Sequence, residues 1–298
     1  MYLLNRSQRH RVNYTWMIVS LLLVASLPFL LFLGLYLKSF LLIHDYHLGD
    51  LLFSRVWKPG SGKFGFYPFI VGSIWVTLMA MLISAPICLL TAIYVTQYTR
   101  KRFLRIMHPA IDILAGIPSV VYGVWGILVI VPFISRFVGP LFGVQTLGYS
   151  ILAAALVLSI MIIPFILNIL IEVFRTIPVE LKEASLSLGA TQWETVKSVL
   201  VKKALPGIIA AFGFGLARAF GETMAVLMVV GNVVKLPKSV FDPGYTLPAL
   251  IANNYGEMLS IPKYESALMF AALILLAVSL FFNLVMHFFI DRYNKFSA

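Results

Sequence analysis

The chain has 298 residues, 60% of them hydrophobic and only 12% charged, with a net charge of +11 and a mean hydropathy of +0.94. Soluble domains carry about 25% charged residues, so this composition excludes an ordinary soluble enzyme and reads as an integral membrane protein. The single cysteine, Cys88, excludes a disulfide framework within the chain and reads as a small buried residue of an apolar segment.

A membrane-crossing helix needs about 20 apolar residues. The first uncharged run, 12–37, is too long for the core of a cleavable leader and predicts a span over about 15–39, after a short N-terminal segment 1–14. Behind it, "LLIHDYHLGD" groups His44, Asp45, His47 and Asp50. Such a cluster can hold a metal, but its spacing matches no specific site, and a solvated loop is the simpler reading. "WKPGSGKFG" at 57–65 resembles a phosphate-binding loop. That motif needs Gly where Trp57 stands and Ser or Thr where Phe64 stands, so the segment reads as a turn.

The second span is predicted over about 69–97 and the third over about 112–135. Gly116 and Pro118 in "AGIPSVVYG" suggest a bend with a freed carbonyl, either lining a cavity or as an ordinary kink. The fourth span covers about 150–172. The segment 173–205 then has the charge density of an exposed helix, with Pro178 at its start and Gly189 as a stop signal. It is either a surface loop or a short docking element over about 176–200. The fifth span is predicted over about 206–231 and the sixth over about 266–290, where His287 reads as a packing or interfacial residue.

Lys and Arg distribute unevenly over the connections. One side holds Arg6, Arg9, Arg11, Arg100, Lys101, Arg102, Arg105, Arg175, Lys182, Lys197, Lys202, Lys203, Arg292 and Lys295. The other, with longer loops at about 40–68 and 232–265, holds Lys38, Arg55, Lys58, Lys63, Arg136, Lys235, Lys238 and Lys263. The positive-inside rule then predicts both termini on the cytoplasmic side. The connecting segments are too short to carry a sizeable catalytic domain, and no G-x-S-x-G or H-E-x-x-H occurs.

The fifth span contains "GLARAFGETMAV", with Arg218 and Glu222 one helical turn apart. A charge at the middle of a membrane helix costs roughly 2.5–3.5 kcal/mol. On a continuous helix the two side chains share a face and can pair. Gly213, Ala217, Gly221 and Ala225 form a stripe of small residues beside them, suited to close helix packing. The pair is either a packing device or a polar station on a pathway.

"EASLSLGA" resembles the coupling motif of ABC-importer permeases, with Glu183, Ala184 and Gly189 at the matching positions and Ser185 in place of a third small residue. "AGIPSVVYGVWGILVIVPF", "LARAFGETMAVLMVVGN" and "TLPALIANNYGE" resemble permeases of the phosphate-uptake ABC importer, PstC type more than PstA type, from about residue 65 almost to the C-terminus. The resemblance implies an all-α membrane protein with six transmembrane helices in the type I ABC-importer fold. It implies a second permease subunit, a dimeric cytoplasmic ATPase and an extracytoplasmic phosphate-binding protein as partners. ATP and Mg would be used by the ATPase, with no cofactor bound by this chain. Arg218 and Glu222 would then line the substrate pathway, and Glu183, Ala184 and Gly189 would couple to the ATPase. Arginine suits phosphate through its planar donor fork. Phosphate near neutral pH keeps a hydroxyl that can donate to Glu222, which sulfate lacks. The alternatives are a permease for molybdate or sulfate and a proton-linked secondary anion transporter.

Overall fold

The computed structural model describes residues 6–256 and 261–297. The side chains of Arg6, Arg9, Arg11, Lys101, Arg102, His287, Arg292 and Lys295 lie outside the described ones. Among the described residues, 6 helices are long and apolar enough to cross a membrane: Asn13–Asp45, Tyr67–Tyr98, Ser119–Leu141, Ile151–Arg175, Gln192–Phe220 and Pro262–Met286. They are called spans one to six below.

Two predicted boundaries are corrected. The segment expected to open span three belongs to a separate helix, Lys101–Gly116. Ile117 is extended (φ −67°, ψ 128°), because the ring of Pro118 disfavours the helical conformation in the residue before it. Span three restarts at Ser119, and the Tyr122 hydroxyl donates to the carbonyl of Leu114 at 2.8 Å across the break. Span five starts at Gln192, well before the expected 206, and ends at Phe220. Its early turns carry Lys197, Lys202 and Lys203, which hid them from a search for apolar runs.

Span four is the hub. Of its most apolar window 67% is buried, against 0% for span one. Ile162, Ile166, Leu170 and Ile171 of span four are fully buried in the main core, with Val76 and Cys88 of span two and Ile208 of span five. A second core joins Leu42, Phe66, Phe69, Leu250 and Phe270. That core also holds a helix, Leu247–Asn254, inside the segment 232–265 that the sequence had suggested was a loop. "WKPGSGKFG" is a turn, as expected: Trp57 and Lys58 pair antiparallel with Phe64 and Lys63. Asp45 Oδ2 takes Lys263 Nζ at 2.9 Å, with His44 Nδ1 3.6 Å from Oδ1. No group of three His, Cys, Asp or Glu among the described residues is placed to hold a metal.

A helix starting in an apolar layer must satisfy its first N–H groups. In span four Ile151 N–H donates to Asp242 O at 3.0 Å and Leu152 N–H to Val240 O at 2.9 Å. Ala153 N–H goes to Ser150 Oγ at 3.2 Å and Ala154 N–H to Ser150 O at 3.1 Å. The 238–242 turn is thus a lid on the hub helix. Its own shape depends on the Asp242 carboxylate, which accepts from the N–H groups of Lys238 at 2.8 Å and Ser239 at 3.0 Å. The Lys238 N–H, more than any other contact, holds the Asp242 pKa below its usual value of 3.8. We expect Asp242→Ala to destabilise the protein by about 1 kcal/mol at neutral pH, the usual size of a cap loss. A depressed folded-state pKa contributes stability above the unfolded-state value that is lost as pH falls through the folded one. Thermal melts in detergent should therefore show the mutant deficit at pH 7 and its disappearance at a pH below 3.8.

Candidate functional site

The fifth membrane segment is broken. Span five ends at Phe220, Gly221 and Glu222 leave the helix, and a short helix, Met224–Val229, follows. Arg218 and Glu222 therefore do not sit one turn apart on a common face, and the expected ion pair is absent among the described residues. Each charge meets a helix end instead. Arg218 lies in the last turn of span five, where the peptide dipoles favour a cation. Glu222 stands before the next helix, and its Oε1 accepts from Ala225 N–H at 3.3 Å. Helix N-termini favour negative charge.

The Arg218 guanidinium lies over the ring of Phe165 of span four, with Cζ 4.8 Å from the centroid. Cation–π contacts of this kind contribute about 0.5–2 kcal/mol. The contact places the guanidinium against span four. Its five N–H donors have no hydrogen-bond or ion-pair partner among the described residues, and the residue is exposed. Arg218 in lipid would be costly, so this surface must meet protein or water. Phe165 was not singled out from sequence, where it was one more aromatic in an apolar span. Three residues on, Asn168 Nδ2 donates to Asp112 Oδ1 at 3.1 Å, adding polar groups to the same flank of span four.

The predicted stripe of small residues is also divided by the break. Gly213 packs on span six, where a Cβ would lie 2.6 Å from Met286 Cγ. Ala225 is fully buried against span three instead, and a Cβ on Gly123 would lie 3.3 Å from Ala225 Cα and 2.5 Å from Met228 Sδ. Gly221 is exposed, and a Cβ there would meet only Ala217 O at 3.8 Å and Arg218 O at 3.9 Å, ordinary contacts. Span three thus seats the short helix that carries the Glu222 acceptor contact.

Glu183, Ala184 and Gly189 cluster at the end of the bundle where spans two and four finish, close to Gln97 and Arg175. Helix Val179–Ser187 has no buried residue and presents Glu183 and Ala184 to the outside. It closes with Gly189 N–H on Leu186 O at 3.0 Å and Ala190 N–H on Ser185 O at 3.3 Å, a Schellman arrangement. Gly189 has φ +83° and no neighbour within 4 Å of a Cβ, so conformation and not space selects glycine there. The helix is tied to the spans. Lys182 Nζ donates to Gln97 Oε1 at 3.1 Å, Gln192 Nε2 to Gln97 O at 2.9 Å, and Ser185 Oγ lies 2.9 Å from Thr195 Oγ1.

Two larger cavities are not anion stations. One, of about 500 Å³, is lined by Tyr149, Asn232 and Asp242 among others. Its Asn232 Oδ1 is a buried acceptor without a donor among the described residues, and Asp242 is a carboxylate, so both repel an anion. The other, of about 920 Å³ beside Trp57, Phe64 and Tyr264, is largely apolar.

Residues 88–295 match the family described as "Binding-protein-dependent transport system inner membrane component". The chain belongs to this family. Among curated relatives, the "Probable ABC transporter permease protein YqgH" of Bacillus subtilis is 38% identical over 91% of this chain and 87% of its own length. The "Phosphate transport system permease protein PstC" of Xylella fastidiosa is 38% identical over 77% and 75%. The "Probable phosphate transport system permease protein PstC" of Methanocaldococcus jannaschii is 36% identical over 91% of both. Among solved structures, a chain of the bacterial alginate ABC transporter superposes with a TM-score of 0.65 over 93% of both chains at 15% identity. A chain of the inward-facing MetNI methionine ABC transporter gives 0.55 over 80% of this chain and 99% of that one at 22% identity. The fold is the type I ABC-importer permease fold, and the chain is a transporter membrane subunit of this inner membrane component family.

The packing of the permease's broken helix makes a direct prediction. Gly123→Val should destabilise the protein by about 1–3 kcal/mol, because its side chain overlaps Met228 and the backbone of Ala225. Gly221→Ala, at φ −85° with only ordinary contacts for a Cβ, should change stability by less than about 0.5 kcal/mol. Melting temperatures in detergent compare the two.

Proposed function

We propose that this chain is one of two permease subunits in an ATP-driven importer of inorganic phosphate, forming half of the translocation pathway. The observation that carries this reading is the donor fork of Arg218, which has no hydrogen-bond or ion-pair partner among the described residues, lies over the ring of Phe165 and is followed across a helix break by a carboxylate acceptor. The relatives named as phosphate transport permeases support the choice of anion.

The guanidinium binds two phosphate oxygens in its plane. Glu222 accepts from the hydroxyl that phosphate retains near neutral pH. A fully ionised oxyanion lacks that hydrogen and meets only repulsion there. Because Arg218 and Glu222 do not neutralise one another, both stay available to the substrate. The exposed side of spans four and five, with Arg218 on it, faces the second permease subunit, and the pathway runs between the two.

Both termini and helix Val179–Ser187 lie in the cytoplasm of a prokaryotic cell, as the Lys and Arg of that side favour. A dimeric ATPase grips that helix at Glu183, Ala184 and the Gly189 turn. The ATPase uses ATP and Mg; this chain transports, does not hydrolyse ATP and holds no cofactor of its own. A phosphate-binding protein delivers substrate on the opposite face. Through Gln97 and Gln192 the docking helix pulls on the cytoplasmic ends of spans two and five. Movement driven by the ATPase therefore reaches the helix that ends at Arg218.

Labelled-phosphate uptake by the reconstituted complex, with and without the ATPase, tests the reading. Arg218→Ala should lower uptake by about a hundredfold, the scale of two charge-assisted hydrogen bonds. Glu222→Gln should lose phosphate-over-sulfate discrimination more than Arg218→Lys does; equal selectivity in the two variants would contradict the role given to Glu222. Uptake without the ATPase would identify a secondary transporter. Gly189→Val, strained by about 1–2 kcal/mol at a positive φ, should weaken co-purification of the ATPase while lowering the melting temperature by only a few degrees.

A further inference from the structure

Span two brings a hydroxyl to Glu222 that no other group uses. A hydroxyl in an apolar helix ordinarily bonds the carbonyl four residues back. Ser39, Ser73 and Thr96 all do so here, at 2.6, 2.9 and 2.7 Å. Thr77 does not. It is 3% exposed, and its hydroxyl has no hydrogen-bond partner among the described residues. Unlike the buried, unpartnered Asn232 Oδ1, the Thr77 oxygen is not fully enclosed and keeps surface that a water or a neighbouring group can reach.

What it borders is a small cavity of about 10 Å³ shared by Ser73, Thr77, Glu222 and Thr246. That volume is near the size of a single water and far below that of a phosphate. The other two hydroxyls are engaged in holding the walls. Ser73 Oγ accepts Leu247 N–H at 2.9 Å, and Thr246 Oγ1 caps the next helix by accepting Ala249 N–H at 3.4 Å. These contacts arise because Gly72 allows Tyr245 to approach: a Cβ there would lie 2.5 Å from Tyr245 O. Oε1 of Glu222 is fixed by Ala225 N–H, which leaves the second carboxylate oxygen without an orienting donor on the short helix.

We propose that Thr77 is the positioning residue for Glu222, its hydroxyl donating across this cavity, directly or through one water, to the second carboxylate oxygen. The carboxylate is then held at both oxygens with its remaining lone pairs turned to the pathway. It stays an acceptor and so selects an anion that carries a hydrogen. This deepens the phosphate reading and rests on it. Thr77 itself touches no substrate.

The test is phosphate uptake by the full reconstituted complex, with sulfate as competitor. Thr77→Val keeps the side-chain shape and removes the donor. It should raise the phosphate KM about tenfold, change kcat less than about twofold, and let sulfate compete. Thr77→Ser should restore KM and selectivity, because it returns the hydroxyl without the methyl. Wild-type KM and selectivity in Thr77→Val would overturn the proposal. So would Thr77→Ser as impaired as Thr77→Val, which would mean that the methyl group and packing matter. If Thr77→Val fails to assemble, Thr77→Ala removes the same hydroxyl without adding bulk and is held to the same outcomes. A wild-type complex that takes up no phosphate would instead remove the parent reading.

Discussion

Peptide groups in the apolar part of a membrane have no water to bond, so a helix can be interrupted there only where other groups take over its hydrogen bonds. The interruption at residues 221–223 meets this requirement with its own side chains and neighbours. Glu222 N–H reaches Ala219 O at 3.3 Å, the Thr223 hydroxyl donates to Gly221 O at 3.3 Å, and Glu222 Oε1 receives Ala225 N–H. At the far end Asn232 Nδ2 donates to Leu227 O at 2.8 Å. The same break separates two charges that would neutralise each other on an intact helix.

The surrounding packing serves that break. Span four supplies the ring under Arg218 and the buried hub against which spans two, three and five are laid. Span three, through Gly123 and Gly126, clasps the short helix, where a Cβ on Gly126 would lie 2.9 Å from Val229 Cγ1. Span two approaches from the other side through Gly72 and Ser73. Small residues here are points of contact between chain segments, not a continuous seam along one helix. Helix Val179–Ser187, by contrast, has no buried residue and is joined to the bundle by side-chain hydrogen bonds from Lys182 to Gln97 and between Ser185 and Thr195.

Much of this was legible in the sequence. Length and apolarity revealed all six spans, since no other structure hides so many uncharged residues. Gly189 was legible because a stop after a charged amphipathic run has few meanings, and the structure finds the left-handed turn there. Gly116 and Pro118 were legible as a bend, though not as the boundary of a separate helix. The break after Phe220 was not legible. "AFGETMAV" contains no proline, and a lone glycine in an apolar run is tolerated in membrane helices. Ion pairing of Arg218 with Glu222 followed from assuming helical continuity and fell with it. Helix Leu247–Asn254 was missed because 8 residues are too few for a span. Phe165 and Thr77 meet tertiary neighbours 53 and 145 positions away, Arg218 at the ring of Phe165 and Glu222 across the cavity beside Thr77, which periodicity within one helix cannot show.

The central claim is that Arg218 and Glu222 act on one substrate and not on each other. A double-mutant cycle of Arg218→Gln and Glu222→Gln, read twice in the assembled complex, tests it most directly. Without phosphate, the two substitutions should be additive in thermal stability to within about 0.5 kcal/mol. In phosphate KM they should couple by more than about 1 kcal/mol, because the substrate bridges them. Coupling in stability without phosphate, with additivity in KM, would mean that the residues form a structural ion pair and that the pathway lies elsewhere.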